Sequence, residues 1–525
     1  MRVLALDGID PGGLAILREA GLEITAGGKM NEEELKEAIR DVEALLVRSG
    51  TRVTAAAINA AQKLKIIGRA GVGTDNIDVA AATERGIVVV NAPEGNTIAA
   101  AEHTMAMMLA LARNIPQASA TLKQGIWEKK KYLGVELRGK TLGIIGLGKI
   151  GREVARRARG MEMKVMAYDP YVDQQQAAHL EVELAPLEQV LAQADFITVH
   201  LPLTKETQHL LDREKLRLLK TGARVLNVAR GGIIDEAALY EALKEGHLAG
   251  AALDVFEEEP LKASPLLEMD NVIVTPHLGA STEEAQVAVA VEVARDVVRC
   301  LQGEPVLNAV NIPIVKGHLA EVLHPFSQLA EKLGGFLAQL MESPIIAAEI
   351  CYQGELARYD LAPLTSSFLK GLLRPLLADA VNYVNAPVVA KKRGIRIREK
   401  KSQEMEYFAN LISVKVEGRR ENHRLAGTVN QDGEPRLVNL DGYSIDASPA
   451  GHLLVVPHLD RPRIIGPVAL VIGDHQVNIA TMQVGRQEIG GAAVMLMSID
   501  SEVPWPALQA IRQVEGVLDV RYIYL

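Results

Sequence analysis

Apolar and polar positions alternate in blocks along the first 300 residues of the chain. The first series contains the apolar runs VLALD, EALLVRSG, KIIGRAG and IVVVNAP, separated by segments such as LAILREAG and VTAAAINAA. Continuous apolar runs indicate strands buried on both faces, and the segments between them have helical character. This βα rhythm predicts a parallel sheet covered by helices on both faces.

A second series of the same kind follows a long helical pattern. Residues 97–113 lack glycine and predict one helix, and the strand-like runs after it are TLGIIGLG, KVMAYDP, DFITVHLPL, ARVLNVARGG, GAALDVF and NVIVTPHLG. A further helix at 282–302 closes this series. We therefore predict an α/β chain with two doubly wound, Rossmann-like parallel-sheet domains, in which the last helix returns to the first domain.

The pattern changes near residue 316. Between 316 and 450, helical periods precede strand-like segments, which predicts an α+β domain. Its basic run KKRGIRIREKK (391–401) is either an edge strand or solvated face, which we favour, or an anion site. From 453 to 525, the order strand, helix, strand, strand, helix, strand predicts a βαββαβ ferredoxin-like domain.

Composition narrows the classes of function. A net charge of -9 and an aromatic content of 4% argue against nucleic acid as a partner. No run is apolar and long enough for a membrane span, and the first residues do not resemble a signal peptide. Two cysteines, Cys300 and Cys351, cannot form a disulfide framework or a metal cluster. We expect buried free thiols in a cytoplasmic protein that holds no metal.

A glycine loop joins the first strand and helix of the second series. In GLGKIG, the glycines Gly146, Gly148 and Gly151 permit a tight turn and close backbone approach, and the helix that follows offers free N–H groups to a pyrophosphate. The next strand leads into Asp169, whose carboxylate can accept hydrogen bonds from a ribose. An acidic residue there favours NAD over NADP, because a 2′-phosphate would meet a like charge.

Polar side chains also follow the later strands of the second series. Arg230, Asp254, Glu259 and His277 come after three strands whose carboxyl ends share one sheet edge, where ligands bind in this class of fold. Taken singly, each could be a surface charge, but their shared position favours function. Oxidation of a 2-hydroxy acid needs a base, His277, a carboxylate that favours its imidazolium form, Glu259, and a cation for the substrate carboxylate, Arg230.

Two more arginines follow strands of the first series. Arg48 and Arg69 have this position, and the backbone of Gly71, Val72 and Gly73 could present a nest of N–H donors to an anion. Three arginines exceed what one carboxylate needs, so we expect a second anionic group, phosphate, on the substrate. A structural salt bridge is the alternative role for Arg48.

Five ordered motifs, GLGKIG, HLPLTKET, NVARGGIIDEAAL, ALDVFEEEP and TPHLGAST, resemble those of the D-isomer-specific 2-hydroxyacid dehydrogenases over residues 1–312. The resemblance implies that Arg230, Glu259 and His277 are catalytic. It implies a substrate domain of residues 1–97 with 283–312 and an NAD-binding domain of 98–282. The implied NAD contacts are Gly146, Gly148, Lys149, Ile150, Gly151, Asp169, Thr207, Val228, Ala229, Arg230, Asp254, His277 and Gly279.

The last 210 residues or so also resemble parts of known enzymes. Within the family, an intervening domain (316–450) followed by a terminal module (453–525) implies a homotetramer that oxidises D-3-phosphoglycerate. The terminal module resembles an ACT domain, in which Asp460 and Asn478 match positions that bind L-serine in some relatives. Arg463 replaces the usual glycine of the ligand turn and His458 replaces a tyrosine, which puts serine inhibition in doubt.

Two further interpretations remain open at this point. One is another dehydrogenase of the family, acting on 2-hydroxyglutarate, glyoxylate or hydroxypyruvate. This alternative does not need a phosphate site or an amino-acid module. The other is a dinucleotide-sensing scaffold of the corepressor kind, which keeps the fold and would bind NADH tightly but turn over substrate poorly.

Overall fold

The computed structural model describes residues 1–313, 318–404 and 407–525. The predicted start of the third domain, residue 316, lies outside the described residues. Four sheets follow one another along the chain, two of them parallel and covered by helices. This confirms the predicted fold class. No helix in the described ranges combines the length and the apolar character that crossing a membrane requires.

The first sheet has five parallel strands in the order β2-β1-β3-β4-β5. The strands are β1 (Arg2–Ala5), β2 (Glu23–Ala26), β3 (Ala44–Val47), β4 (Ile66–Arg69) and β5 (Val88–Asn91). The helices beside them are α1 (Pro11–Glu19), α2 (Glu32–Ala38), α3 (Ala55–Ala60) and α4 (Val79–Glu84). Because β3 and β4 are neighbouring parallel strands, their carboxyl ends bring Arg48 and Arg69 to the same edge of the sheet.

The second sheet has seven parallel strands in the order β12-β11-β10-β9-β6-β7-β8. The strands are β6 (Thr141–Ile145), β7 (Lys164–Tyr168), β8 (Glu183–Leu184), β9 (Phe196–Val199), β10 (Arg224–Asn227), β11 (Gly250–Leu253) and β12 (Val272–Val274). The helices are α5 (Thr97–Arg113), α6 (Ile115–Lys123), α7 (Lys149–Gly160), α8 (Gln174–His179), α9 (Leu187–Gln193), α10 (Arg213–Leu218) and α11 (Glu236–Lys244), with 3-10 turns at Lys129–Tyr132 and Pro265–Glu268. Helix α5 has the predicted bounds, and β8 is an addition to the predicted series.

The helix that follows the second sheet packs on the first. Helix α12 (Glu283–Gln302) places Val289, Val293 and Val297 in one buried cluster with Leu46 and Ile66 of the first sheet. The predicted return of this helix to the first unit is therefore confirmed.

The third sheet has six strands in the order β14-β13-β15-β16-β17-β18. The strands are β13 (Ile345–Gly354), β14 (Arg396–Ser402), β15 (Asn410–Gly418), β16 (Asn422–Val429), β17 (Pro435–Leu440) and β18 (Tyr443–Ala447). The helices are α13 (His318–Leu340), α14 (Ala362–Leu377) and α15 (Ala386–Lys392), with 3-10 turns at Glu355–Arg358 and Ala378–Ala380. The expected order, helices first and strands later, is wrong at β13, which lies between α13 and α14. The alternate burial of Ala348, Ile350 and Tyr352 is the period-2 signal that marks this strand.

Most of the basic run of the third domain lies in its outermost strand, and its first two lysines end α15. Strand β14 pairs with β13 on one side and is exposed at most positions. Lys400 pairs with Glu349, and Lys392 pairs with Glu84 of the first unit. The edge-strand interpretation of residues 391–401 is therefore the one that the structure supports.

The fourth sheet is antiparallel, in the order β20-β21-β19-β22. Its elements are β19 (His452–Leu459), α16 (Ile465–Asp474), β20 (Ile479–Arg486), β21 (Ala492–Ile499), α17 (Trp505–Arg512) and β22 (Arg521–Tyr524), which is the predicted βαββαβ order. One face of this sheet is covered by its own two helices. The other face adds Leu453, Val455, Val494, Leu496 and Ile523 to the hydrophobic core of the third domain.

Candidate active site

The glycine loop lies between β6 and α7, as predicted. Gly146 has φ 97°, and a Cβ on Gly151 would lie 2.1 Å from the carbonyl oxygen of Gly146, so the turn requires glycine at both positions. Gly148 is the N-cap residue of α7, so no side chain from this position occupies the first amides of the helix. Apart from Gly148 itself and its two chain neighbours, no described residue has a heavy atom within 4 Å of a Cβ placed on Gly148. Open space therefore faces the helix N-terminus, which suits a pyrophosphate.

Asp169 follows β7 and lies beside the glycine loop. Its Oδ2 accepts a hydrogen bond from the Leu147 amide at 2.8 Å, and its Oδ1 accepts one from the Tyr171 amide at 2.9 Å. These bonds hold a partly exposed carboxylate next to the loop, where a ribose hydroxyl can reach it.

The remaining predicted cofactor contacts lie around the same edge. Lys149 and Ile150 form the first turn of α7, and Lys149 Nζ pairs at 2.7 Å with Glu94 of the first unit. The Thr207 hydroxyl donates to the Pro202 carbonyl at 2.7 Å and closes the turn after β9. Thr207 is thus anchored at the edge where the strands end.

A single asparagine shapes the loop after β10. Asn227 donates through Nδ2 to the Arg230 carbonyl at 2.8 Å and accepts from the Ala229 amide at 3.0 Å, which folds Val228–Arg230 into a compact loop. The Arg230 side chain donates to the Ala229 carbonyl at 2.7 Å. Its Nε lies 3.2 Å from Oδ2 of Asp75, a residue of the first unit. Arg230 therefore spans the boundary between the two Rossmann-like units.

Glu259 and His277 form a hydrogen-bonded pair. His277 Nδ1 lies 2.7 Å from Glu259 Oε2, and Glu259 Oε1 accepts from the Phe256 amide at 3.1 Å. Burial acts to raise the pKa of Glu259, but the hydrogen bond and charge of His277 outweigh it and hold this pKa below its ordinary value. An ionised Glu259 accepts the Nδ1 proton of His277. Nε2 of the neutral imidazole is then free to accept another proton.

Asp254 is fully buried and holds the loop that contains His277. Its Oδ1 accepts from the Thr275 hydroxyl at 2.5 Å and the Leu278 amide at 2.7 Å, and its Oδ2 accepts from the Gly279 amide at 2.8 Å. His103 Nε2 lies 3.3 Å from Oδ1. A contact between Asp254 and a nicotinamide stays a prediction, because in this structure both carboxylate oxygens have protein donors.

Arg48 is positioned by an acidic residue of the first loop. Asp7 accepts from the Arg48 amide at 3.0 Å and from the Thr51 amide and hydroxyl, while Asn76 donates to the Arg48 carbonyl at 2.8 Å. The backbone of Arg48 is thus fixed, and its guanidinium has no ion pair among the described residues. The structure gives no support for the structural salt bridge considered above.

Arg69 lies in the same cationic cluster. Burial and the neighbouring charge of Arg230 lower the pKa of Arg69 to about 10, and Arg48 acts in the same direction, whereas Asp75 opposes the shift. The Nε of Arg69 is buried and has no hydrogen-bond partner. Buried polar groups are almost always paired, so an unpaired cationic nitrogen beside two further arginines indicates an anion site.

The predicted nest of backbone donors is smaller than expected. The Gly71 amide donates to the Arg69 carbonyl at 2.8 Å, and the space of its missing Cβ holds the Arg69 guanidinium. Within the described ranges, the amides of Val72 and Gly73 have no acceptor. A Cβ on Gly73 would lie 2.1 Å from an Arg230 nitrogen. The two free amides of this loop therefore lie close to the side chains of Arg69 and Arg230.

The predicted regulatory residues lie in the terminal module and pair with different partners. Asp460 Oδ2 lies 3.1 Å from both Arg486 and the Gly490 amide, and Asn478 donates to Asp500 at 2.7 Å. The Gly490 amide and Arg486 hold the pKa of Asp460 below its ordinary value. No hydrogen bond in the described part of the chain joins Asp460 to Asn478.

Arg463 and His458, the two residues that depart from the ACT pattern, lie in different surroundings. Arg463 has φ 69°, the left-handed conformation that glycine adopts without cost. His458 is buried, and its Nδ1 lies 3.1 Å from the Val456 carbonyl oxygen. The turn therefore keeps a glycine-like backbone although the residue is arginine.

Sequence reasoning missed three residues that organise the site. Asp75 pairs with Arg230, Asp7 holds Arg48, and His103 contacts Asp254. Asp75 and Asp7 follow predicted strands, as the recognised residues do, so their position was a usable signal. His103 lies inside a helical pattern and carries no such signal.

The glycine loop, the held acidic residue and the Glu259–His277 pair on parallel strands define an NAD-dependent dehydrogenase. In agreement, residues 105–279 match the family described as D-isomer specific 2-hydroxyacid dehydrogenase, NAD binding domain. Residues 322–441 match the D-3-phosphoglycerate dehydrogenase intervening domain.

Curated relatives extend over the whole chain. It is 46% identical to a D-3-phosphoglycerate dehydrogenase of Methanocaldococcus jannaschii, with 100% of both chains covered. It is 45% identical to that of Bacillus subtilis, with 100% of this chain and 99% of the relative covered. The chain belongs to the D-3-phosphoglycerate dehydrogenase family.

Solved structures are similar to more than half of the chain. A D-lactate dehydrogenase of Aquifex aeolicus complexed with NAD and lactic acid has a TM-score of 0.53 and 29% identity. A Thermus thermophilus protein has a TM-score of 0.55 and 36% identity. Each match covers 59% of this chain and 100% of the other chain.

Proposed function

We propose that the chain oxidises D-3-phosphoglycerate to 3-phosphohydroxypyruvate with NAD, the first step of L-serine biosynthesis. The observation that carries this proposal is the cluster of Arg48, Arg69 and Arg230, with one buried guanidinium nitrogen unpaired. One arginine suffices for the substrate carboxylate. The other two, with the free amides of Val72 and Gly73, suit a phosphate.

In this proposal, His277 is the general base. Its Nε2 takes the proton of the C2 hydroxyl, while Nδ1 remains bonded to Glu259, whose carboxylate stabilises the imidazolium that forms. Arg230 binds the substrate carboxylate through two parallel hydrogen bonds, which orients C2. Bound NAD supplies the acceptor for the hydride of C2.

The residues around the glycine loop fit this cofactor. We propose that Gly146, Gly148, Lys149, Ile150 and Gly151 hold the pyrophosphate and that Asp169 holds the ribose. The nicotinamide half would meet Thr207, Val228, Ala229, Arg230, Asp254, His277 and Gly279. The open space at Gly148 and the fixed Asp169 carboxylate support this placement.

We propose the domain division given by the sequence. Residues 1–97 with 283–312 form the substrate domain and 98–282 the NAD-binding domain, which the packing of α12 on the first sheet supports. Residues 316–450 form the intervening domain and 453–525 the terminal module. This division places the proposed catalytic pair on the NAD-binding domain, and Arg48 and Arg69 on the substrate domain.

The test is NADH appearance with 3-phosphoglycerate and NAD in the presence of a trap for the keto product. Replacing Arg48 with Ala should raise the KM for 3-phosphoglycerate far more than the KM for an unphosphorylated 2-hydroxy acid. Arg52→Ala, a neighbouring surface arginine, is the matched control and should change neither. Equal effects of Arg48→Ala on both substrates would show that Arg48 does not bind the phosphate.

The same assay separates the alternative functions. Turnover of unphosphorylated acids alone would favour the other dehydrogenases, and tight NADH binding without turnover would favour the sensing scaffold.

We also propose that the terminal module is an ACT domain that binds an amino acid, L-serine being the first candidate, at Asp460 and Asn478. Its βαββαβ topology and the partly exposed Asp460 support this. A ligand that binds the folded state must raise the melting temperature. A serine-dependent shift in the intact enzyme that Asp460→Ala abolishes is expected, and a shift unaffected by that substitution contradicts the assignment.

For assembly we propose a homotetramer in the cytoplasm. Exposed apolar side chains gather in one segment after α5, and such patches mark association surfaces. They are Ile115, Leu122, Ile126, Trp127 and Leu133. The unpaired thiols of Cys300 and Cys351 support a reducing compartment. Light scattering should give four subunits, and Trp127→Glu should reduce that number; a monomeric wild type would overturn the assembly.

A further inference from the structure

The loop with the proposed base depends on one buried carboxylate. Asp254 accepts hydrogen bonds from the Leu278 and Gly279 amides through its side chain and from the His277 amide, at 2.9 Å, through its carbonyl. His277 itself has φ 57°, an unfavourable backbone conformation for a residue other than glycine. The loop needs Asp254 to hold three consecutive residues in this arrangement.

A fully buried carboxylate is costly unless a positive or polar partner compensates it. Burial acts to raise the pKa of Asp254, but His103, Thr275 and the two amides together hold it below the ordinary value, so the carboxylate stays ionised. Among the described residues, His103 is the basic side chain within ion-pair distance of Asp254.

His103 reaches this carboxylate from outside the loop. It lies in α5, and its Nε2 is 3.3 Å from Asp254 Oδ1 and 3.2 Å from the Thr275 hydroxyl, which itself donates to the same Oδ1. One helix therefore braces both the end of β12 and the carboxylate that follows β11. The imidazole is mostly buried, with 21% of its side chain exposed.

We propose that His103 is a positioning residue for the reaction. Its Nε2 proton holds Asp254 and Thr275 in place, and Asp254 in turn fixes the backbone of His277 and the two residues after it. In this proposal, His103 affects turnover through Asp254 and not through a contact with substrate or cofactor. The inference rests on the proposed role of His277 as the base.

The test compares two substitutions in the full-length enzyme. His103→Leu removes the donor and should lower kcat about 10- to 100-fold, the range for losing a hydrogen bond to a charged group, with less than about threefold change in the KM for 3-phosphoglycerate. His103→Gln keeps an N–H donor and should recover most of kcat. His423→Leu, which breaks a histidine–carboxylate pair of the third domain, is the matched control and should leave kcat unchanged.

A second measurement does not depend on the substrate. In hydrogen–deuterium exchange, His103→Leu should speed exchange at the Leu278 and Gly279 amides, and His103→Gln should speed it much less. Unchanged exchange, a kcat within threefold of wild type in His103→Leu, or equal losses in both variants would overturn the proposal. If the wild type fails to oxidise 3-phosphoglycerate, the exchange result still decides the positioning role.

Discussion

The guanidinium of Arg230 and the carboxylate of Asp75 form an ion pair between the first and second units, with 3.2 Å from Nε to Oδ2. Asp75 also acts on Arg69, where its charge opposes the lowering of the arginine pKa. One exposed carboxylate therefore balances two of the three arginines before any substrate anion binds.

Replacing Asp75 with Asn should tighten anion binding. Removal of an exposed partner charge is worth about 0.2–1 kcal/mol, so the inhibition constant for inorganic phosphate should fall by about 1.4- to 5-fold. We expect kcat to fall as well, because Arg230 keeps only its bond to the Ala229 carbonyl. Asp78→Asn, which keeps the capping oxygen at the N-terminus of α4, is the control and should leave phosphate binding unchanged. An unaltered inhibition constant in Asp75→Asn would contradict this account.

His277→Asn should abolish most turnover and leave NADH binding intact. Removal of a general base costs about 10²–10⁴-fold in rate, and the glycine loop and Asp169 that hold the dinucleotide are untouched. Steady-state kinetics and NADH fluorescence titration separate the two effects. Glu259→Gln should also reduce kcat, whereas Glu258→Gln on the neighbouring exposed residue should not. Full turnover in His277→Asn would eliminate the proposed base.

Acid should remove the stabilisation that Asp254 provides. Because folding lowers the pKa of Asp254, its contribution is present above the unfolded value, about 3.9, and is lost as pH falls through the folded value. The melting-temperature difference between the wild type and Asp254→Asn should thus be constant from pH 7 to about pH 5 and shrink below about pH 4. A difference that already narrows above pH 6 would contradict the assignment of this effect to Asp254.

Arg463→Gly should stabilise the terminal module. The left-handed backbone at φ 69° costs an arginine about 1–2 kcal/mol, and glycine avoids this cost. Glycine also loses more conformational freedom on folding, which offsets roughly half of the gain. We expect the free energy of unfolding, measured with urea, to increase by about 0.5–1 kcal/mol. Arg461→Gly, in the same turn but without a positive φ, should destabilise. A loss of stability in Arg463→Gly would show that its side chain makes a compensating contact.

The sequence predicted the fold, and it predicted which strand ends carry the candidate site residues, because both depend on local order. Burial on both faces identified the parallel strands, and Arg230, Glu259 and His277 each follow a strand whose end lies at a known edge. The ion pair of Arg230 with Asp75 could not be predicted, because it joins two domains whose relative position depends on the packing of α12. His103 was missed for a similar reason, since a helical pattern does not say which polar side chain faces a buried carboxylate.

Strand β13 shows a different limit. The segment IIAAEICYQG lies between two helical patterns, and the sequence analysis did not predict a strand there. The strand forms because β14 and β15 pair with it, and both come later in the chain. Pairing with distant segments therefore determines that these residues form a strand, which local propensity alone does not predict.

Because the fourth sheet completes the core of the third domain, the part of the chain from α13 to β22 shares one hydrophobic core. A cut at residue 450 would leave two fragments with bare apolar faces, one of them exposing Leu453, Val455 and Ile523. A different terminal domain could therefore not be exchanged by itself at that point. Its partner face on the third domain would have to be redesigned with it.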